Sequence, residues 1–148
     1  MVPDTAANTL KYQDEIVRAA AYLLFVQAAG FEAITDFVKT LPAAQMNKAR
    51  RDGLLKIRLG ISEMVTGNIL MLRSSGLRPE NRALLLDALV DTAATFAASV
   101  APADRAAMLA QLDTVVPSFT ALERGKVLSI KAAFERKECS GLCAIEAK

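Results

Sequence analysis

The sequence predicts an all-α fold, a compact bundle of five or six mostly antiparallel helices with one long central helix. Apolar residues make up 53% of the chain, charged residues 23% and aromatic residues only 5%, a mixture that favours helices over sheets. No segment alternates apolar and polar residues long enough to indicate a strand. The chain of 148 residues has the usual size of one domain, so we predict a single helical domain over residues 1–148, with a short tail after Gly141.

Proline and glycine divide the chain into six predicted helices. The first covers residues 5–29 and ends at Gly30, and the second covers residues 31–40 and stops before Pro42. The third covers residues 43–74, as one helix or as two with a kink at a glycine. Pro79 and Pro102 are placed where a first helical turn accepts proline. They open predicted helices over residues 79–99 and 102–116, and the capping-box spacing of Thr120 and Glu123 opens the last helix, over residues 120–138. We expect residues 54–72 at the centre, with the first helix beside them.

Three glycines, Gly53, Gly60 and Gly67, recur at seven-residue intervals within the third predicted helix. Each costs about 1 kcal/mol relative to alanine in a helix interior. A seven-residue step drifts by only about 20° around a helix, so the three glycines share one stripe. We interpret the stripe as a groove that lets a neighbouring, alanine-rich helix approach closely. The alternatives are a groove that admits a flat ligand or a partner helix, and a kink at one glycine.

Polar side chains form a second stripe on the same helix, which consists of Arg51, Arg58, Ser62, Thr66 and Arg73, and its candidate anion site is Arg58 with Ser62. The stripe is either the solvated face of the helix or, if it lines a cleft, a modest anion site, because arginine offers a planar fork of donors to carboxylate or phosphate. Met64 belongs to a different face, among apolar residues. Together with the three glycines, Arg58, Ser62 and Met64 are the candidate binding groove.

Two carboxylate pairs have the i, i+4 spacing that places both members on one helix face, Glu32 with Asp36 and Asp87 with Asp91. Like charges at this spacing are mildly destabilising, and oxygen ligands suit Mg²⁺ or Ca²⁺. If the four side chains converge, they form a metal site, and otherwise they are solvent-facing charges. The chain contains no histidine, which excludes Ser-His-Asp and Cys-His catalysis. We identify no catalytic residue and expect no cofactor.

Cys139 and Cys143 are separated by three residues, which is neither a redox C-x-x-C pattern nor a zinc pattern. In an intact helix their Cβ atoms would lie about 5–6 Å apart, too far for a disulfide. Gly141 between them can break the helix and bring them together. A small disulfide loop is expected if the protein is exported, and two reduced structural cysteines are expected if it is cytosolic.

Charge and hydropathy limit the classes of partner. The net charge of +2, from 18 basic and 16 acidic residues, is too small to capture nucleic acid. The longest apolar run, residues 19–26, is shorter than the roughly 20 residues that cross a bilayer, so we expect no transmembrane segment. No signal peptide is recognisable, so a cytoplasmic location is the default, with an exported or periplasmic location if the chain is a mature form.

For function the sequence supports three hypotheses from different classes. The first is a non-enzymatic interaction or accessory protein with a protein partner or a homodimer, because helix faces are plentiful and catalytic constellations are missing. Its binding surface would be the glycine groove or the exposed part of the first helix, which is apolar on more than one face. The second is a binder of a small apolar ligand, in a pocket between helices. That pocket would be lined by Ile61, Met64, Met71 and Phe96. The third is a carboxylate-dependent metal enzyme that uses the four acidic residues.

Overall fold

The computed structural model describes residues 6–146, and the predicted helix start at residue 5 lies outside that range. No strand occurs among the described residues, which confirms the all-α prediction. Two short 3-10 turns, Ala43–Gln45 and Val116–Ser118, accompany the helices. The helices are α1 (Ala6–Lys11), α2 (Gln13–Thr40), α3 (Lys48–Met71), α4 (Pro79–Ser99), α5 (Pro102–Val115) and α6 (Ala121–Phe134).

Local interactions at the helix starts determine where several helices begin. The Asn47 side chain accepts a hydrogen bond of 2.9 Å from a backbone amide in the first turn of α3. Pro79 and Pro102 open α4 and α5 as predicted. The predicted capping box is confirmed: the Glu123 amide donates to Thr120 Oγ1 at 3.2 Å, and the Thr120 amide donates to Glu123 Oε2 at 2.8 Å.

Gly30 does not end a helix, and the two predicted helices on either side of it form one continuous helix, α2. Leu24 and Ala28 before the glycine and Thr35 and Val38 after it are buried on the same face. Packing along that whole face outweighs the cost of about 1 kcal/mol for one interior glycine. The predicted end of the first helix is therefore wrong.

The centre of the bundle is α4, which packs along α2 on one side and along α6 on another. Gln13 Oε1 accepts a hydrogen bond of 3.0 Å from Asn81 Nδ2 near the start of α2 and α4. Near the ends of the same two helices, the Thr35 and Ser99 hydroxyl oxygens lie 3.4 Å apart. The two helices are therefore parallel. The prediction that residues 54–72 form the central helix beside the first helix is wrong, because α2 uses its buried face against α4.

Ion pairs show that α6 also runs parallel to α4. Arg82 Nε lies 2.7 Å from Glu123 Oε1 near the start of both helices, and Asp87 pairs with Lys126 further along both. The chain after α6 consequently emerges close to the carboxyl end of α4, beside α3 and α5. This placement positions the carboxyl-terminal residues described below.

Replacing Gly60 with alanine is expected to raise the free energy of unfolding by about 1 kcal/mol, because alanine favours a helix interior by that amount. An added Cβ at Gly60 meets no atom within 4 Å. Urea denaturation measures the change. Gly141→Ala is the matched control and should destabilise the protein, because Gly141 has a φ of +60° and its added Cβ would lie 2.7 Å from the Thr35 carbonyl oxygen. Equal changes in the free energy of unfolding for the two substitutions would contradict the exposed position of Gly60 and the close contact at Gly141.

The Glu123 carboxylate should make stability depend on pH. Burial by itself raises the pKa of Glu123, but hydrogen bonds from the Thr120 amide and from Arg82 lower that pKa by more, so it lies below the ordinary value of 4.5. A lowered pKa means that this stabilisation is complete above pH 4.5 and is lost as pH falls through the folded-state pKa.

Urea unfolding of the wild type and of Glu123→Gln at several pH values measures that contribution. We expect the wild type to lose more stability than the variant below pH 4.5. The pKa of Asp14 is also lowered, first by a hydrogen bond from Asn81, so both proteins are compared in an Asp14→Asn background. Parallel stability curves for the two proteins would refute the assignment.

Candidate functional site

The three predicted groove glycines lie on the solvent side of α3. Gly53, Gly60 and Gly67 are exposed, and an added Cβ at any of them meets no atom within 4 Å. The expectation that a neighbouring helix approaches this stripe is therefore wrong. The reason is that α3 turns the opposite side, which carries Ile61 and Val65, towards the core.

The remaining residues of the predicted groove face other surroundings. Arg58 Nη1 donates to the carbonyl oxygens of Leu142, Cys143 and Ile145 at 3.3, 2.9 and 2.7 Å. The guanidinium is thus engaged by backbone of the same chain, and the predicted anion site of Arg58 with Ser62 is not formed. Ser62 is buried and lines a cleft between α3 and α5.

Met64 is half-buried and packs against the core. The six predicted residues therefore do not form one surface, although Ser62 and Gly67 line the same cleft. Two of the residues expected to line a pocket for an apolar ligand, Ile61 and Phe96, are fully buried in the core. The Phe96 ring packs edge to face on the Phe31 ring, with the ring centroids 6.2 Å apart. These two side chains fill the core and line no open pocket.

The four carboxylates of the predicted metal site do not converge. Asp36 pairs with Lys39 of its own helix at 3.2 Å, and both line a cleft with Glu32 between α2 and α4. Asp87 instead pairs with Lys126 of α6. Within residues 6–146 no group of three or more His, Cys, Asp or Glu side chains is placed to hold a metal ion. The metal-site prediction is wrong because α4 presents its carboxylates away from those of α2.

The cysteine pair closes a small loop after α6. Cys139 and Cys143 form a disulfide with their Cα atoms 5.3 Å apart. The helix has already ended at Phe134, and Gly141 supplies the positive φ that turns the chain between the two sulfurs. Of the two alternatives that the spacing left open, the structure has the disulfide loop.

A buried arginine, Arg105 of α5, holds this loop. Its residue surface is only 3% exposed. Arg105 Nη1 donates to the Arg136 carbonyl oxygen at 2.6 Å, and Nη2 donates to the Glu138 carbonyl oxygen at 2.8 Å and to Cys143 Sγ at 3.1 Å. Burial lowers the pKa of Arg105, and the Glu138 carboxylate partly offsets that effect. An arginine still remains charged at neutral pH.

Arg105 is not among the predicted site residues, although the sequence carries a weak signal for it. Arg105 precedes Met108 by three residues and Leu112 by seven, so it lies on the apolar stripe of its helix. A charged residue at a core-facing position needs partners inside the protein. That spacing identifies the arginine as buried but does not identify what it binds.

Among the described helices, α2 carries the most exposed large hydrophobic side chains, five in number. Tyr22 is 69% exposed, Phe37 52%, and Leu23, Phe25 and Val26 48% each. By length and composition α2 also meets the requirement for a membrane span, although a helix that packs inside a protein passes the same test. The expectation of no transmembrane segment stays a prediction.

Comparison of the chain with protein-family models, with curated proteins and with solved structures found no match.

The two arginines that hold the tail should contribute unequally to stability. Arg105→Met is expected to lower the free energy of unfolding by about 3 kcal/mol, because it removes the charge-assisted hydrogen bonds from Arg105 to the Arg136 and Glu138 carbonyl oxygens. Arg58→Met should cost less, since Arg58 is only half-buried. Urea denaturation of both variants under non-reducing conditions measures the difference. A smaller loss for Arg105→Met than for Arg58→Met would overturn this ranking.

Proposed function

We propose that the protein is a non-enzymatic interaction protein whose outer α2 face pairs with a helix of a second copy of the chain. One observation carries the proposal, an uncharged seam on the solvent side of α2. Its members alternate steps of three and four residues, the spacing that coiled-coil helices use at their contact positions. The α2 seam consists of Ile16, Ala19, Leu23, Val26, Gly30, Ala33 and Phe37.

Exposure of the seam supports this function. All of its members are exposed except Ile16, which is half-buried. The opposite side of α2, with Val17 and Leu24, is fully buried against the rest of the bundle, so the seam points away from the body of the protein. Contiguous exposed apolar surface of this kind marks an interaction site in water.

Small residues at three seam positions suit a helix as the partner. Ala19, Gly30 and Ala33 have little or no side chain, so a second helix can approach the α2 backbone closely at these points. The larger Leu23 and Val26 lie between them and provide knobs for packing. A seam that contains both large and small residues matches the surface of another helix better than a flat surface.

Charge along one flank of the seam favours a second copy in antiparallel orientation. Near the amino end of the seam this flank carries Glu15 and Arg18, which have opposite charges, whereas near the carboxyl end it carries Glu32 and Asp36, with Lys39 paired to Asp36. Two antiparallel copies related by a two-fold axis bring the same flank of each helix together. Arg18 of each copy then lies towards Glu32 and Asp36 of the other. In parallel copies the charged flank of one helix would instead face the uncharged flank of the other.

A charge placed in the seam is expected to abolish association. Leu23→Glu should convert a dimer into a monomer, because the carboxylate would have to be buried without a partner. Light scattering after size-exclusion chromatography measures the mass. Leu128→Glu on α6 is the matched control, since Leu128 is 64% exposed and lies off the seam, and this variant should remain dimeric. Circular dichroism checks that both variants stay helical.

Two outcomes would refute the proposal. A wild-type protein that is monomeric at high concentration has no self-association to explain. Binding of the wild type to phosphatidylcholine vesicles by flotation, lost in Leu23→Glu but not in Leu128→Glu, would assign the same face to a lipid surface instead.

A further inference from the structure

We propose that the Cys139–Cys143 disulfide is a thiol–disulfide exchange site, at which an external low-molecular-weight thiol attacks Cys139 and Cys143 leaves as a thiolate beside Arg105. This inference is independent of the α2 seam. It rests on the unequal surroundings of the two sulfurs, on the charge next to one of them, and on the contacts that keep Cys143 in place after the bond is broken.

Access differs between the two sulfurs. Cys139 is exposed, whereas Cys143 is only 3% exposed. A thiolate attacks a disulfide at the sulfur that it can reach, and the other sulfur is the leaving group. An open cleft of about 600 Å³ adjoins the pair and is lined by Arg58, Pro102, Cys139, Cys143 and Glu146, among others. A cleft of this volume is large enough for a small peptide thiol.

The leaving sulfur is the one that contacts a cation. Arg105 Nη2 lies 3.1 Å from Cys143 Sγ, and a neighbouring guanidinium stabilises a thiolate over the neutral thiol. A thiol with a lower pKa leaves a disulfide faster. Burial of Cys143 acts in the opposite direction, since desolvation disfavours the thiolate. Direct contact with Arg105 is the stronger effect, because the guanidinium is itself buried and poorly screened by water.

Contacts other than the disulfide hold Cys143 in position. Leu142 is fully buried, and Arg58 binds the carbonyl oxygens of residues 142, 143 and 145. Gly141 lies against the Thr35 backbone. None of these contacts requires the sulfur–sulfur bond, so the reduced loop keeps Cys143 beside Arg105 and the pair can be oxidised again.

Other charged groups surround the loop on each side. Glu138 raises the pKa of Arg105 and opposes part of its effect on the sulfur, while Arg58 is engaged by carbonyl oxygens. Among the described residues, charged side chains near the loop include Lys39 of α2, Arg58 of α3, Arg105 of α5, and Glu135, Arg136, Lys137, Glu138 and Glu146 of the chain after α6. Arg105 is the member with a hydrogen bond to sulfur.

Complete reduction of the protein disulfide consumes two equivalents of external thiol. The first thiolate forms a bond to Cys139 Sγ, the disulfide bond breaks, and its electron pair remains on Cys143 Sγ. A second thiolate then attacks the mixed disulfide and releases Cys139 as a thiolate. The protein disulfide is reduced by two electrons, and two thiols are oxidised to one external disulfide.

The first step is tested in the wild-type protein by finding which of the two cysteines the external thiol attacks. Native protein is treated with glutathione, quenched in acid and mapped by peptide mass spectrometry. We expect the glutathione adduct on Cys139. An adduct on Cys143, equal amounts on both cysteines, or a disulfide that reacts only after denaturation would overturn the proposal.

The second test measures the pKa of each thiol in the reduced native protein, from the pH dependence of alkylation by iodoacetamide at each cysteine. We expect the pKa of Cys143 to lie at least about one pH unit below that of Cys139 and below the value of about 8.5 for a free cysteine. Arg105→Gln should raise the pKa of Cys143 by at least about one pH unit, and Arg105→Lys should restore most of the difference.

Arg58→Gln is the matched control, because Arg58 holds the same tail without a hydrogen bond to sulfur. It should leave the pKa of Cys143 low. A Cys143 pKa at or above that of Cys139 in the wild type would overturn the proposal without any variant, and equal effects of Arg58→Gln and Arg105→Gln would show that loosening of the tail, and not charge, governs the thiol.

Discussion

The burial of α4 between α2 and α6 is the interaction on which the rest of the structure depends. Leu85, Leu86, Leu89 and Phe96 of α4 are at most 1% exposed, and burial of apolar surface is the dominant favourable term in folding. Because α2 uses one face for this contact, its opposite apolar face is left uncovered. Because α6 packs parallel to α4, the chain that follows α6 is delivered to the carboxyl end of α4, where α3 and α5 provide arginine side chains.

Arg58 of α3 and Arg105 of α5 link the helix packing to the disulfide loop, because both contact the chain around it. Arg58 and Arg105 both bind backbone carbonyl oxygens of the chain after α6, and charge-assisted hydrogen bonds of this kind are stronger than neutral ones, especially away from water. Only Arg105 also donates to a sulfur. One buried guanidinium therefore serves as a structural anchor and as the electrostatic environment of a cysteine, while the seam of α2 lies on another surface of the bundle.

The helix-interior glycines differ from their predicted roles for one physical reason. An interior glycine costs a helix about 1 kcal/mol, which is small beside the burial of a whole helix face, so a glycine such as Gly30 need not end a helix. For the same reason Gly53, Gly60 and Gly67 are tolerated on a solvent-facing side where nothing approaches them. Dividing the chain at Gly30 also concealed the α2 seam, because its period is recognisable only when residues on both sides of that glycine are counted together.

The sequence by itself determined the all-α class and the starts of α4, α5 and α6, because Pro79, Pro102 and the capping box act within one helical turn. It left the state of the cysteine pair open. Only the tertiary structure decided which helices are neighbours, that the glycine stripe of α3 faces outward, and that Arg58 and Arg105 bind the tail. These outcomes depend on contacts between residues far apart in the chain, such as Arg58 and Cys143 at a separation of 85 positions, and local patterns carry no information about which distant residues will meet.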